Sequence, residues 1–263
     1  MSASVNANTN ASTNASTNAS GPASSLRKSP LVVLASASPS RHRLLRMVGI
    51  EPTIMVSGVD EESEEYHGLS PSELVIALAI VKAHTVAKEI LASQAFADRD
   101  LIVIGCDSTF EFEGRSLGKP GTRENAIERC RLVAGKSGLL HTGHCIIEIR
   151  SDSDSDADSA SASASSKTGD TFNEYSDIAT TRVHFTSMSD EEIESYVDSG
   201  EPLHVAGGFT LDGLSAPFIR SIEGDWSNVI GLSLPLVRSA VTSFGHPWFD
   251  IATAGTLHEM GSK

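Results

Sequence analysis

Cysteine, basic side chains and long apolar runs are all scarce in this chain, and each scarcity removes a class of protein. The three cysteines, Cys106, Cys130 and Cys145, are odd in number and show no CxxC spacing. They form neither a disulfide framework nor a zinc knuckle, and they fit a reducing cytoplasm. Lysine and arginine number 20 against 34 acidic residues, a net charge of −14 with pI ≈ 5.0. Such a surface repels a phosphate backbone, so general nucleic-acid binding is excluded, although a small phosphorylated ligand in a locally basic cleft is not. No apolar run approaches the ~20 residues of a membrane helix, so no membrane partner is expected. What is present, 40% hydrophobic and 21% charged residues over 263 positions, suffices for a sizeable core.

Composition divides the chain. Residues 1–28 are dominated by Asn, Ala, Ser and Thr and cannot offset their ordering entropy by burial, so they read as a disordered tail. That stretch lacks the apolar segment of a secretory signal. A second biased stretch, residues 151–169, SDSDSDADSASASASSKTG, separates two strand-like runs, HTGHCIIEI and TTRVHF. A β-hairpin with an inflated, disordered connection explains it, because loop-closure entropy grows only logarithmically with length. Its alternating aspartates lack the Gly turn and closing Glu of an EF-hand loop and read as solvated linker. One domain over residues 29–246 remains, followed by a polar tail at 247–263.

Within that domain strands and helices interleave, which predicts an α/β fold. LVVLASA and LIVIGCDS read as buried strands and EPTIMVS as a short one. SPSRHRLLRMVGI reads as a helix with Pro39 in its first turn and Gly49 at its end. Ser70 with Glu73, and Ser189 with Glu192, are capping boxes opening two more helices, the first running to about Ser93. FEFEGRSLGKP reads as a hairpin, RENAIERCRLVAG as a helix, and a last helix covers roughly Pro235 to Phe244.

Several segments could carry chemistry, each beside a plainer structural reading. In LASASPSRHRLL a strand meets a turn with Ser36 and Ser38, then a helix start with Arg41 and Arg43. Helix N-termini seat phosphate and guanidinium grips its oxygens, although Ser38 could merely cap the helix. VSGVDEESEE, with Glu61, offers oxygen ligands to a hard cation or is a solvated loop. Lys82 shares a helix face with Val75, Leu78, Ala79 and Val86, and so either snorkels to water or reaches an anion in a cleft. Asp107 and Ser108 end an otherwise apolar strand, where a carboxylate is costly unless paired, metal-bound or catalytic. Cys106 has an acidic neighbour, which opposes thiolate formation, and reads as core packing. Lys119, between Gly118 and Pro120, places an ammonium on a stiff turn. AGKS at 134–137 is not a Walker site, because Cys130 stands where glycine is required and a helix precedes it. Together these strand ends read as a site for a polyphosphate plus a metal.

LASASPSRHRLL, VSGVDEE, the Lys82 helix, IGCDST, LGKP, GKSGLLHTGH, SDEEIESYV, GEPLHVAGGFTLDGL and IEGDWSNVIGLSLPL occur in the order found in the Maf family, and from Leu31 to Gly245 the chain resembles it, with wording nearest to actinobacterial members. The resemblance implies a long, twisted, mixed sheet with helices in two lobes around a nucleotide cleft, related to inosine triphosphate pyrophosphatases. It implies a cytoplasmic nucleoside triphosphate pyrophosphatase, a hydrolase of acid anhydrides that cuts between the α and β phosphates with a divalent cation, Mg or Mn, and clears non-standard or excess nucleotides. By motif match Asp107 falls on the proposed proton acceptor and Glu61 on an acidic position for metal or water, and both are carried as metal ligands. Arg41, Lys82 and Lys119 fall on basic positions facing the triphosphate, with Ser36 and Ser38 in the phosphate turn. Members specific for thymidine or uridine triphosphate carry Arg, Thr and Gln where this chain has Ser40, Ser108 and Asp212, so pyrimidine preference is not implied. An arginine that donates and an aspartate that accepts cannot make the same contact, and Asp212 could instead accept from a base amino group. Dimers are common in folds of this kind, which allows a homodimer. A nucleotide-binding regulator of septum formation without essential turnover is the alternative function.

Overall fold

The computed structural model describes residues 29–94, 96–151 and 173–252. Its apolar runs become the middle of one seven-stranded sheet. The strands are β1 (Leu31–Leu34), β2 (Thr53–Ile54), β3 (Leu101–Phe112), β4 (Arg115–Leu117), β5 (Ser137–Ile149), β6 (Asn173–Phe185) and β7 (Ile219–Glu223). Their order is β2-β1-β3-β5-β6-β7, with β4 paired to the far end of β3. β1 runs parallel to β2 and β3, and the remaining pairs are antiparallel. β5 and β6 form the long hairpin expected on either side of the acidic stretch, of which only Ser151 lies within the described residues. The expected tail at 1–28 lies outside them altogether.

Helices cover both faces of the sheet. Ile102, Ile104, Cys106 and Ile146 meet Leu44 and Leu45 of α1 (Pro39–Met47), together with α6 (Leu234–Ser243) and α7 (Trp248–Ala252). On the other face Val33, Val103, Cys145 and Ile147 lie under Ala79, Ala83, Val86 and Ile90 of α2 (Pro71–Ser93). The α2 capping box forms as its sequence predicts: Ser70 N–H donates to Glu73 Oε2 at 2.8 Å and Glu73 N–H to Ser70 Oγ at 3.4 Å. Beyond these layers the far ends of β3, β5 and β6 pack with α3 (Arg123–Val133) and α4 (Asp190–Asp198) into a second lobe. Its centre is three phenylalanines, Phe110, Phe185 and Phe209, edge to face at 5.0–5.8 Å.

The stretch read as a polar C-terminal tail differs from its expectation at its start. α7 buries Ile251 and Ala252 in the core, and the Ala252 carbonyl lies so close to Gly49 that a Cβ there would be 2.0 Å away. Five residues are too few for helical periodicity to show in sequence. Residues 253–263 lie outside the described part.

Candidate active site

β1 ends before β3 does, and the site forms where it leaves. Leu34 is the last β1 residue paired with β3, opposite Ile104, and Ala35 N–H donates to the Ile104 carbonyl. β4 takes up pairing only from Phe110. Over residues 105–109 this edge of β3 has no neighbouring strand, the carboxyl-end crevice where open sheets bind ligands. The Cys106 carbonyl on this edge would be orphaned, and Arg41 satisfies it through Nη1 at 2.9 Å. The same guanidinium donates to Ser36 Oγ at 3.0 Å, Ser108 Oγ at 2.9 Å and the Gly231 carbonyl at 2.7 Å. Arg41 therefore ties the β1–α1 turn and the middle of β3 to the turn after α5 (Trp226–Ile230). Four of its five N–H donors are engaged inward, so at most one remains for an anion, not the free two-pronged grip its sequence position suggested.

On the opposite face of β3, α2 approaches unusually closely. A Cβ at Gly105 would sit 2.4 Å from the Ala79 carbonyl oxygen, and one at Gly143 would sit 2.2 Å from that of Val75. Only glycine admits the helix at this distance, and the approach carries Lys82 onto Asp107. Lys82 Nζ donates to Asp107 Oδ1 and to Glu61 Oε1, both at 2.6 Å, with its side chain only 7% exposed. Of the two readings of Lys82, the structure has the lysine reaching anions. Lys119, on the loop after β4, brings its ammonium to 4.0 Å from Glu61 Oε2 and faces the same opening from the second lobe.

Burial pushes the Asp107 carboxyl above its ordinary pKa; Lys82 and Arg41 pull it back only in part, and Glu61 adds to the rise. Glu61 goes the other way. Burial raises it, but the Lys82 hydrogen bond and the charges of Lys82, Lys119 and Arg41 together outweigh burial and hold it below the ordinary carboxylate range. Two carboxylates on one ammonium thus differ in proton affinity, as a division between proton acceptor and permanent anion requires. Burial lifts the Cys106 thiol to about 11, which suits the inert core role expected of it.

The remaining expected residues divide. Ser38 caps α1, accepting from Arg41 N–H at 3.5 Å, and Ser36 Oγ accepts from Ser38 N–H at 3.2 Å. Ser108 Oγ also meets Thr142 Oγ1 at 2.9 Å, so this hydroxyl belongs to the Arg41 network. Asp212 does not stand open as an acceptor: it pairs with Arg43, which also reaches Ser40 Oγ at 3.4 Å. Arg43 had been noted only as a helix-start arginine, and its partner 169 residues away gave no local signal. Also unread in the sequence was His144, fully buried on the Arg41 face with Nε2 accepting from Ser233 N–H at 2.8 Å. That contact makes it a neutral ring, and burial followed by the charge of Arg41 pushes its pKa down to about 4.

The cluster suits a divalent cation by its donors. Both carboxylates offer the oxygen atoms that Mg and Mn prefer. Mg typically takes one or two carboxylates and completes its shell with substrate phosphates and water, so Glu61 and Asp107 fit such an ion when a triphosphate is present.

Comparison with known proteins places the chain in a family. The family profile described as Maf-like protein matches residues 31–244. Three curated relatives carry the name nucleoside triphosphate pyrophosphatase. The one from Salinispora tropica is 41% identical over 225 residues, covering 86% of this chain and 88% of its own. That from Streptomyces coelicolor is 46% identical over 214 residues, 81% and 90% of the two chains. That from Prochlorococcus marinus is 41% identical over 216 residues, 82% and 98%. A profile match across the whole sheet and both lobes, with relatives of matching length, identifies this chain as a member of the Maf-like family.

Proposed function

We propose that this chain hydrolyses a nucleoside triphosphate between its α and β phosphates, giving the monophosphate and pyrophosphate, and so removes non-standard or excess nucleotides. The observation that carries the reading is the Asp107–Lys82–Glu61 cluster, with the Lys119 ammonium 4.0 Å from Glu61. Buried, unpaired cysteines suit a reducing cytoplasm, and among the described residues no helix is long and apolar enough to cross a membrane.

Asp107 is the proton acceptor. Its carboxyl, raised by burial, is a stronger base than a solvated aspartate, and Lys82 holds it in orientation through Oδ1 at 2.6 Å. Water oxygen bonds to phosphorus, the bridging P–O bond breaks, pyrophosphate departs, and the water proton passes to Asp107. Lys119, exposed on its turn, meets charge on the phosphates, and Arg41 holds the phosphate turn in place. Glu61 and Asp107 would hold a divalent cation together with the substrate phosphates, and the chemistry it would supply is charge neutralisation and a more acidic water.

The test is pyrophosphate release from a panel of standard and modified nucleoside triphosphates with Mg or Mn, comparing wild type with Asp107→Asn. Monophosphate plus pyrophosphate, falling about 10²–10⁴-fold in the variant, is expected. Absence of turnover on every nucleotide overturns the proposal and leaves a nucleotide-binding regulator.

A further inference from the structure

Away from the cleft, α2 meets the β5–β6 hairpin through a polar seam. Cys145 pairs across the sheet with Ser176 and Ile147 with Glu174, so Cys145, Ser176 and Glu174 share one face. That face lies under α2, which lays His84 over it. The Nε2 of His84 is 2.9 Å from Glu174 Oε2, and Ser176 Oγ donates to the other carboxylate oxygen, also at 2.9 Å. Burial pushes the Cys145 thiol up to about 12, so without a metal it stays protonated. One nitrogen, one sulfur and one carboxylate oxygen from three elements lie within 4.8 Å of one another.

We propose that His84, Cys145 and Glu174 form a binding site for a thiophilic divalent ion of the zinc type, distinct from the cation expected at Glu61 and Asp107. Imidazole and thiolate select zinc or cobalt over magnesium, whereas the catalytic cluster offers oxygen alone. A tetrahedral shell with zinc bonds of ~2.0–2.3 Å has an edge of about 3.5 Å, so the ion would draw donors now within 4.8 Å of one another closer together. In the metal-free chain the Cys145 sulfur carries a proton, and another lies between His84 Nε2 and the Glu174 carboxylate. A dication replaces them: Cys145–SH loses its proton to solvent and forms a sulfur–metal bond, His84 offers its Nε2 lone pair with hydrogen on Nδ1, and Glu174 binds as carboxylate. Partial exposure of His84 and Glu174 gives entry and admits water as fourth ligand, while the sulfur stays buried. The ion would clamp α2 to β5 and β6, two residues along the helix from Lys82.

Cobalt titration of the full chain in excess Mg tests this. An equimolar thiolate-to-cobalt charge-transfer band in the near ultraviolet is expected, displaced by zinc, accompanied by release of a proton and by a rise in thermal midpoint. Mg, which avoids sulfur, leaves the band untouched. Cys145→Ser abolishes the band. Glu174→Gln, an exposed change that spares the fold, weakens cobalt by at least ~10-fold. No band in the wild-type chain, a band surviving Cys145→Ser, or unchanged affinity in Glu174→Gln each overturns the site; should Cys145→Ser fail to fold by circular dichroism, Glu174→Gln decides.

Discussion

Two buried cations flank the middle of β3, which runs on past Asp107 to Phe112 instead of ending there as its apolar run suggests, and they are held in opposite ways. Lys82, on the α2 face, touches two carboxylates, so its charge is more than compensated where it sits. Arg41, on the α1 face, is 8% exposed and donates only to neutral oxygens, two carbonyls and two hydroxyls. The first arrangement sets proton affinities: it separates Asp107 from Glu61. The second leaves a positive charge with no carboxylate in hydrogen-bond contact, which biases the adjoining turn toward an anion and adds to the burial that disfavours protonation of His144. One crevice therefore presents a basic carboxylate from one side and positive potential from the other, the pairing that attack of water on a polyphosphate needs.

Removing the compensated cation should do most damage. Lys82→Met leaves Asp107 facing Glu61 with no shared cation, and breaking a buried pair in this way costs about 3–5 kcal/mol, lowered here toward ~3 because Glu61 is 41% exposed. Denaturant unfolding reads that loss, and turnover should fall by about 10³-fold because Asp107 then protonates more readily. A variant as stable as wild type would mean that the two faces do not differ as described.

The uncompensated side is reported by His144. Its folded pKa of about 4 lies below the ordinary 6.5, so the native ring stays neutral where the unfolded ring charges. Stability from this residue is fully present above pH 6.5 and declines as pH falls toward 4, by about 3 kcal/mol in all. Below that both states are protonated and the slope vanishes. His144→Gln keeps an acceptor for Ser233 N–H and removes the titration, so thermal midpoints measured between pH 7 and 4 should fall less steeply in the variant than in wild type. Parallel slopes would refute the assignment.

Much of this was legible, and the limits have a physical pattern. Buried strands, capping boxes and the inflated hairpin show in sequence because apolar runs, Ser-x-x-Glu spacing and composition are local. Helical periodicity put Lys82 on the apolar face of α2, but its meaning depends on what lies opposite. That is set by Gly105 and Gly143, whose missing side chains draw the helix onto Asp107. The sequence places Arg41 at a phosphate turn, yet two of its acceptors are backbone oxygens 65 and 190 residues away, which no motif encodes. The Arg43–Asp212 pair is hidden by the same separation.

Smaller changes sharpen the contrast. Arg41→Lys keeps the charge but loses the planar fork that reaches Ser36, Cys106, Ser108 and Gly231 together, leaving the Cys106 carbonyl unsatisfied. A loss of about 2 kcal/mol is expected by thermal unfolding, with KM raised more than kcat is lowered, since the turn is displaced while Asp107 and Lys82 remain. Lys119→Ala should have the least effect on the fold. Its ammonium is 62% exposed and stands 4.0 Å from Glu61, a contact that water and salt screen, so stability should change by less than about 0.5 kcal/mol. Its loss should instead raise KM by about 10-fold, an effect that shrinks as ionic strength increases, because a solvent-facing charge acts on a polyanion over a Debye length. A KM shift insensitive to salt would place Lys119 in a desolvated contact with the phosphates and make it a third buried cation on binding, joining the two that β3 already separates.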